Sequence, residues 1–164
     1  MAQYEDQSFS RRQKAFHAWN PYGSQPRHHR GAKERMTAME YVEASGVPET
    51  RWPNFREWFS WYQRNNLVGV VKDGEEIVGV AVARAIDGSQ EVKHYVHKPD
   101  GDTAFVDLTV TCIDGKPNAR SRLAMKRLLS ILWDELGPRR SLIFNRNGVR
   151  KQYDYMKFMR KAMA

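Results

Sequence analysis

The chain has 164 residues, 41% of them hydrophobic, and a formal net charge of +8 at pH 7. This hydrophobic fraction excludes a wholly disordered protein, and the length favours one domain with a sizeable core. No apolar run is long enough to cross a membrane and no signal-peptide segment opens the chain, so we expect a cytoplasmic protein. The single cysteine, Cys112, excludes an intramolecular disulfide and lies among apolar strand residues, which predicts a place in the core.

Residues 1–32 are predicted to form a basic arm, and residues 33–164 a single domain. The arm contains four proline and glycine residues, no sustained periodicity, and five basic against two acidic side chains. Such a segment favours nucleic acid or an acidic protein surface as a partner, although solubility alone also accounts for it. The candidate nucleic-acid contacts are Arg11, Arg12, Arg27, Arg30 and Lys33.

Two helices are predicted first in the domain, over residues 33–45 and 53–64. Gly46 and Pro48 end the first helix, and Pro53 begins the second. Aromatic residues recur at helical spacing along the second helix. We interpret this stripe as core rather than as a groove for an aromatic ligand; it comprises Phe55, Trp58, Phe59 and Tyr62.

Four strands are predicted next, over residues 67–71, 76–86, 91–97 and 104–113. Asp-Gly pairs at residues 73–74, 87–88 and 100–101 separate them, which is typical of turns between antiparallel strands. An antiparallel meander is therefore expected. His94 and His97 fall on opposite faces of the third strand and no Cys-His cluster occurs, so no metal site is predicted.

The last predicted elements are a helix over residues 118–136, a strand over residues 141–145 and a helix over residues 149–162. Gly137 and Pro138 end the first of these helices. A strand–helix–strand connection favours parallel strands at residues 104–113 and 141–145. The predicted fold class is α+β with mixed α/β layers: an antiparallel meander with one parallel crossover and helices on both faces.

An acidic residue, Asp107, lies in the middle of the predicted strand 104–113. Period-two alternation places it on the face of Phe105, opposite Val106, Leu108 and Val110. Because burial of an unpaired carboxylate is costly, Asp107 is a candidate general base or a group that orients a substrate amine. The alternative is an ion pair with a nearby Arg or Lys, or exposure at a sheet edge.

This order of elements resembles the GNAT acyltransferase family. The segments LVGVVKDGEEIVGVAVARAI, FVDLTVTCIDGKPNARSRLAMKRLLSIL and SLIFNRNGVRKQYDYMKFM are similar to its hairpin, to its central strand, loop and helix, and to its next strand and tyrosine-bearing helix. The resemblance implies transfer of an acyl group from acetyl-CoA or another acyl-CoA to an amine by direct attack, without a metal. Residues 114–120 lack most glycines of the family's pyrophosphate loop, as in divergent phage-encoded relatives.

The resemblance also implies the roles of particular residues. Backbone groups of Leu108, Thr109 and Val110 would pair with the pantetheine arm of the cofactor. Tyr155 would protonate the departing thiolate, whereas Tyr153 is expected to pack. The pyrophosphate would bind at the start of the helix 118–136, where helix amides favour anions, unless the basic residues there only form a solvated face. The implied cofactor-binding residues outside the strand are Lys116, Asn118, Ala119, Arg120, Arg122 and Asn145.

The second hypothesis is a non-catalytic basic protein of the same fold. The glycine-poor loop and the basic arm favour it, and its partner would be nucleic acid or a larger assembly such as a virion. The sequence favours the enzyme over this alternative. If the chain is phage-encoded, we expect the enzyme in the cytoplasm of a host cell. For the enzyme, Asp107→Asn is expected to lower turnover more than stability.

Overall fold

The computed structural model describes residues 36–88, 93–146 and 148–164. Within these residues the chain forms four α-helices, a short 3₁₀ helix (Pro48–Arg51) and a five-stranded sheet, so the predicted α+β class is confirmed. The helices are α1 (Ala38–Ser45), α2 (Phe55–Arg64), α3 (Ala119–Leu136) and α4 (Tyr155–Ala162). The strands are β1 (Val68–Asp73), β2 (Glu76–Ile86), β3 (Thr103–Val110), β4 (Ser141–Arg146) and β5 (Val149–Asp154).

The sheet has the strand order β1-β2-β3-β4-β5. Its strands pair antiparallel except for β3 and β4, which are parallel and are connected by α3. The predicted crossover and the predicted hairpin at Asp73-Gly74 are both confirmed. The chain reverses direction at Gly74, whose φ of +64° is a conformation that glycine adopts at little cost.

Helices α2 and α3 pack on opposite faces of the sheet. A Cβ atom at Gly79 would lie 3.3 Å from Leu128 Cδ1, so α3 rests directly on the β2 backbone there. Arg84, five residues further along β2, points to the other face. There Arg84 and Tyr62 of α2 both donate hydrogen bonds to the carboxylate of Asp107. The aromatic stripe of α2 is buried, as predicted.

Residues 93–97 do not form a strand, so the predicted strand 91–97 is wrong over this part, while residues 91–92 lie outside the described residues. Strand β2 already pairs with β1 and β3, which makes the antiparallel run three strands long rather than four. Instead, the Arg84 guanidinium donates to the backbone carbonyls of Lys93 and Val96. Tyr95 adopts a φ of 62°, which breaks extended geometry.

Residues 149–154 form β5, so the predicted helix 149–162 is wrong over its first six residues. Their backbone groups pair with β4, and all six residues are exposed. The helix begins only at Tyr155, where the Asp154 carboxylate accepts a hydrogen bond of 2.9 Å from the Lys157 amide. Asp154 is therefore the N-cap that separates strand from helix.

A β-bulge at Asp107 changes the predicted faces of β3. Val106 lies opposite Ala83, whereas Leu108 lies opposite Val82, so Asp107 is the extra residue between them. Ala83 and Val82 are consecutive and point to opposite faces, and their partners do the same. The predicted shared face of Val106 and Leu108 is therefore wrong.

Three smaller predictions are also corrected. Helix α1 begins after Thr37, whose side chain forms a capping box with Glu40, rather than at residue 33. Helix α2 begins at Phe55, two residues after Pro53. Cys112 follows the end of β3 and is only half-buried, with its Sγ 3.1 Å from the Asp114 carbonyl oxygen, so it is not a core residue.

The predicted basic arm and its nucleic-acid contacts lie outside the described residues. In the part of the chain that the structure describes, no helix is both long and apolar enough to cross a membrane.

Candidate functional site

Strands β3 and β4 diverge after a short parallel pairing. They pair from Thr103 to Val106 and from Ser141 to Phe144, and their later residues are not paired with each other. Residues Leu108, Thr109 and Val110 still pair with β2 on their other side. The cleft-facing edge of β3 therefore presents backbone donors and acceptors that no neighbouring strand uses.

A cavity of about 250 Å³ occupies this opening. Its walls come from both strands, from α3 and from the 3₁₀ helix, and Asn145 lies at the end of β4. The Asn145 Oδ1 atom is buried without a hydrogen-bond partner among the described groups, so it is an acceptor available to a bound molecule. The lining residues are Val47, Glu49, Leu108, Thr109, Thr111, Met125, Asn145 and Arg146.

Glu49 contributes a carboxylate to the wall of this cavity. The 3₁₀ helix holds it there, and only 5% of the residue is exposed. Burial raises the pKa of Glu49 above its usual range, and the negative charge of Asp107 raises it further. A buried carboxylate of this kind in a cleft wall is suited to accept a proton from a cationic amine.

Asp107 is fully engaged by two buried neighbours. Its Oδ2 lies 3.0 Å from Arg84 Nε and 2.5 Å from the Tyr62 hydroxyl, which donates to it. The side chains of Arg84 and Asp107 are 1% and 5% exposed, so this is a buried ion pair. Burial raises the pKa of Asp107, whereas Arg84 and the Tyr62 hydrogen bond act in the opposite direction.

The start of α3 is capped by its own residues. The Asn118 side chain accepts from the Ser121 amide at 3.0 Å, and the Asn118 amide donates to Ser121 Oγ at 2.7 Å. The cap does not use the first-turn amide of Ala119. The Arg120 guanidinium, however, contacts Asp73 at 2.7 Å and also Glu76, so its charge is already compensated.

The remaining predicted cations of the α3 start are exposed. Lys116, in the preceding loop, and Arg122, in the first turn of α3, both face solvent. A second cavity of about 100 Å³ lies beside Asn118 and Arg120, and Thr111 lines both this cavity and the larger one. The two cavities are therefore neighbours, one at the strand opening and one at the start of α3.

Tyr155 lies at the opposite end of β4 from the cleft. The Tyr155 amide donates a hydrogen bond of 3.2 Å to the carbonyl of Arg140, the residue before β4 begins at Ser141. Asn145, at the cleft, lies four positions further along β4 than Ser141, a distance of about 13 Å along the strand. Tyr155 is buried against Trp133, and burial raises its pKa to about 12. The structure thus does not bring Tyr155 and Asp107 together.

The structure brings together the predicted residues Leu108, Thr109 and Asn145, and it adds Glu49. Sequence reasoning missed Glu49 because the segment Pro48–Arg51 carries no motif and its position depends on how the 3₁₀ helix packs. Among the described residues, no group of three or more His, Cys, Asp or Glu side chains is placed to hold a metal ion.

Comparison of the chain with models of protein families gives no match, and comparisons with curated proteins and with solved structures give none either.

Proposed function

We propose that the protein is an acyl-CoA-dependent N-acyltransferase of the GNAT-like type. The observation that carries this proposal is the divergence of β3 and β4, which opens a cavity beside an unpaired strand edge. A pantetheine arm contains amides that can hydrogen-bond to such an edge as a further strand does. Backbone groups of Leu108, Thr109 and Val110 then hold the arm, with the thioester near the cavity.

The cofactor's phosphates lie towards the start of α3 in this proposal. The cavity beside Asn118 and Arg120 adjoins the strand opening at Thr111, the amide of Ala119 is a donor that the cap does not use, and Lys116 and Arg122 supply positive charge nearby. Arg120 itself serves mainly to hold Asp73 and Glu76 at the β1–β2 turn.

Glu49 takes the role of general base that the sequence suggested for Asp107. It accepts a proton from the ammonium form of the acceptor, and the neutral amine attacks the thioester carbonyl carbon. The new C–N bond forms and the C–S bond breaks. The nitrogen releases its surplus proton to solvent, the departing thiolate takes up a proton from solvent, and Glu49 returns its proton to solvent before the next turnover. Asp107 acts indirectly, because its charge raises the pKa of Glu49 towards the working pH.

Calorimetric titration with acetyl-CoA tests this proposal. We expect saturable binding to the wild-type protein, and a cofactor at 100 to 1,000 times its Kd stabilises the fold by roughly 3–4 kcal/mol. Thr109→Trp, which fills the cleft from its wall, should abolish binding while the protein remains folded. No heat of binding and no thermal shift at millimolar acetyl-CoA would exclude the proposed enzyme.

The non-catalytic alternative is favoured by one feature, the internally satisfied start of α3. The capping box and the ion pairs of Arg120 leave fewer free groups for a pyrophosphate than an open anion site offers. In this second proposal the chain binds an acidic partner, nucleic acid or a larger assembly and has no cofactor. Absence of acetyl-CoA binding by the wild-type protein in that titration would select it.

A further inference from the structure

A third cavity, separate from the strand opening, lies over β4, β5 and α4. It has a volume of about 440 Å³ and lies on the face that Phe144, Lys151 and Tyr153 share. Three aromatic rings form its floor: Phe144 and Phe158 have centroids 5.2 Å apart, and Tyr153 and Phe158 have centroids 4.9 Å apart. We call the six lining residues the β5 pocket: Phe144, Arg146, Val149, Lys151, Tyr153 and Phe158.

The β5 side of the pocket is open to solvent, whereas Phe144 is buried and Phe158 is partly buried beneath it. Tyr153 is 37% exposed and Val149 is 58% exposed. Since β5 is the edge strand of the sheet and all its residues are exposed, no described element covers this face. The exposed face of Tyr153 and the partly buried Phe158 ring below it therefore remain accessible to a flat ligand from solvent.

Cations border the same pocket. Arg146 and Lys151 line it and are exposed, and the Arg146 guanidinium lies 5.5 Å from the Phe144 ring centroid. Residues 146–164 carry six basic and one acidic side chain, a formal charge of +5 in a chain whose total is +8. This concentration disfavours a second copy of the chain as the occupant, because two such surfaces repel, and favours a polyanion.

We propose that the β5 pocket binds single-stranded nucleic acid, independently of the strand opening and of acyl transfer. An unpaired base stacks on Tyr153 and Phe158, and the adjoining phosphates contact Lys151 and Arg146. Stacking on aromatic rings combined with backbone phosphate contacts is the usual means of binding single strands without sequence preference. Double-stranded nucleic acid cannot stack on these rings in the same way, because its bases are already stacked on one another.

Fluorescence anisotropy with fluorescein-labelled dT20 and U20 at low salt tests the proposal. Tyr153→Leu keeps an apolar side chain but removes the ring, and should weaken binding at least fivefold. Lys151→Gln should weaken binding and lower the slope of log affinity against log salt by about 0.7. Arg64→Gln, which removes an exposed cation from α2, is the matched control and should leave affinity nearly unchanged.

Three results would overturn the proposal. The first is no binding of either strand by the wild-type protein at low salt. The second is an equal loss in Lys151→Gln and Arg64→Gln with none in Tyr153→Leu, which would mean general charge attraction. The third is a concentration-dependent dimer in sedimentation that Tyr153→Leu dissociates, which would make a second copy the occupant. The DNA and RNA arms of the titration decide which strand is preferred.

Discussion

Replacing Asp107 by Asn should destabilise the protein severely. The substitution removes the counter-ion of Arg84, whose side chain is 1% exposed, and it weakens the hydrogen bond from the Tyr62 hydroxyl. The sequence alone predicts the opposite order, with turnover affected before stability. The structure reverses this order because the carboxylate is held inside an ion pair and does not itself line the cleft.

The size of the effect follows from the buried geometry. Breaking a buried ion pair by removing one partner costs about 3–5 kcal/mol, a large part of the roughly 5–15 kcal/mol that stabilise a typical domain. Arg84→Met should cost as much, because the guanidinium also holds the carbonyls of Lys93 and Val96. The variant that combines Asp107→Asn with Arg84→Met should lose no more stability than Arg84→Met alone. The coupling energy between the two residues is then about 3 kcal/mol.

Urea unfolding followed by tryptophan fluorescence measures these free energies. The exposed pair Arg56–Glu43, with side chains 70% and 31% exposed, is the matched control. Its removal by Arg56→Met should cost less than about 1 kcal/mol. A loss below 1 kcal/mol for Asp107→Asn, or additive effects of the two core substitutions, would refute the reasoning.

Three further predictions concern single residues. Glu49→Gln should lower turnover at least about 100-fold in assays of thiol release with a panel of amines, whereas the exposed Glu57→Gln should not. Because the folded-state pKa of Glu49 lies above 4.5, its ionised form is penalised at neutral pH and the neutral Gln should not lower stability there; a destabilised Glu49→Gln would mean a structural role. Asn118→Ala should cost about 1 kcal/mol in urea unfolding by removing the α3 cap; an unchanged midpoint contradicts this. Gly101→Ala should cost more than about 1 kcal/mol, because its Cβ would lie 2.4 Å from the Ile86 carbonyl oxygen; unchanged thermal unfolding would show that the loop shifts freely.

Local signals in the sequence were sufficient for several elements. The Asp73-Gly74 turn, the stop at Gly46 and the aromatic stripe of α2 depend on neighbouring residues, and the structure has all three. The parallel pair also followed from element order, since a strand–helix–strand connection rarely has another outcome.

The errors arose where tertiary contacts decide the conformation. Val149, Tyr153 and Met156 recur at helical spacing, but the first two lie in an edge strand that pairs with β4 and buries little surface. Likewise, the residues around Tyr95 have strand composition, yet the carbonyls of Lys93 and Val96 accept hydrogen bonds from the Arg84 side chain rather than from a strand backbone. Neither competing interaction can be read from the segment itself.

Part of the candidate site could also be predicted from the sequence. The family resemblance implied the edge of β3 at Thr109 and the strand exit at Asn145, and both residues line the same cavity. The bulge at Asp107 and the position of Glu49 were not, because both depend on which buried groups meet in the folded chain.

Backbone amide NMR during a titration with acetyl-CoA tests the central claim most directly. If the cofactor pairs with the open edge of β3, the amide signals of Leu108, Thr109 and Val110 shift on binding, while those of β1, two strands away, stay in place. Shifts confined to other parts of the chain, or none at millimolar acetyl-CoA, would contradict the assignment of this cleft as an acyl-CoA site.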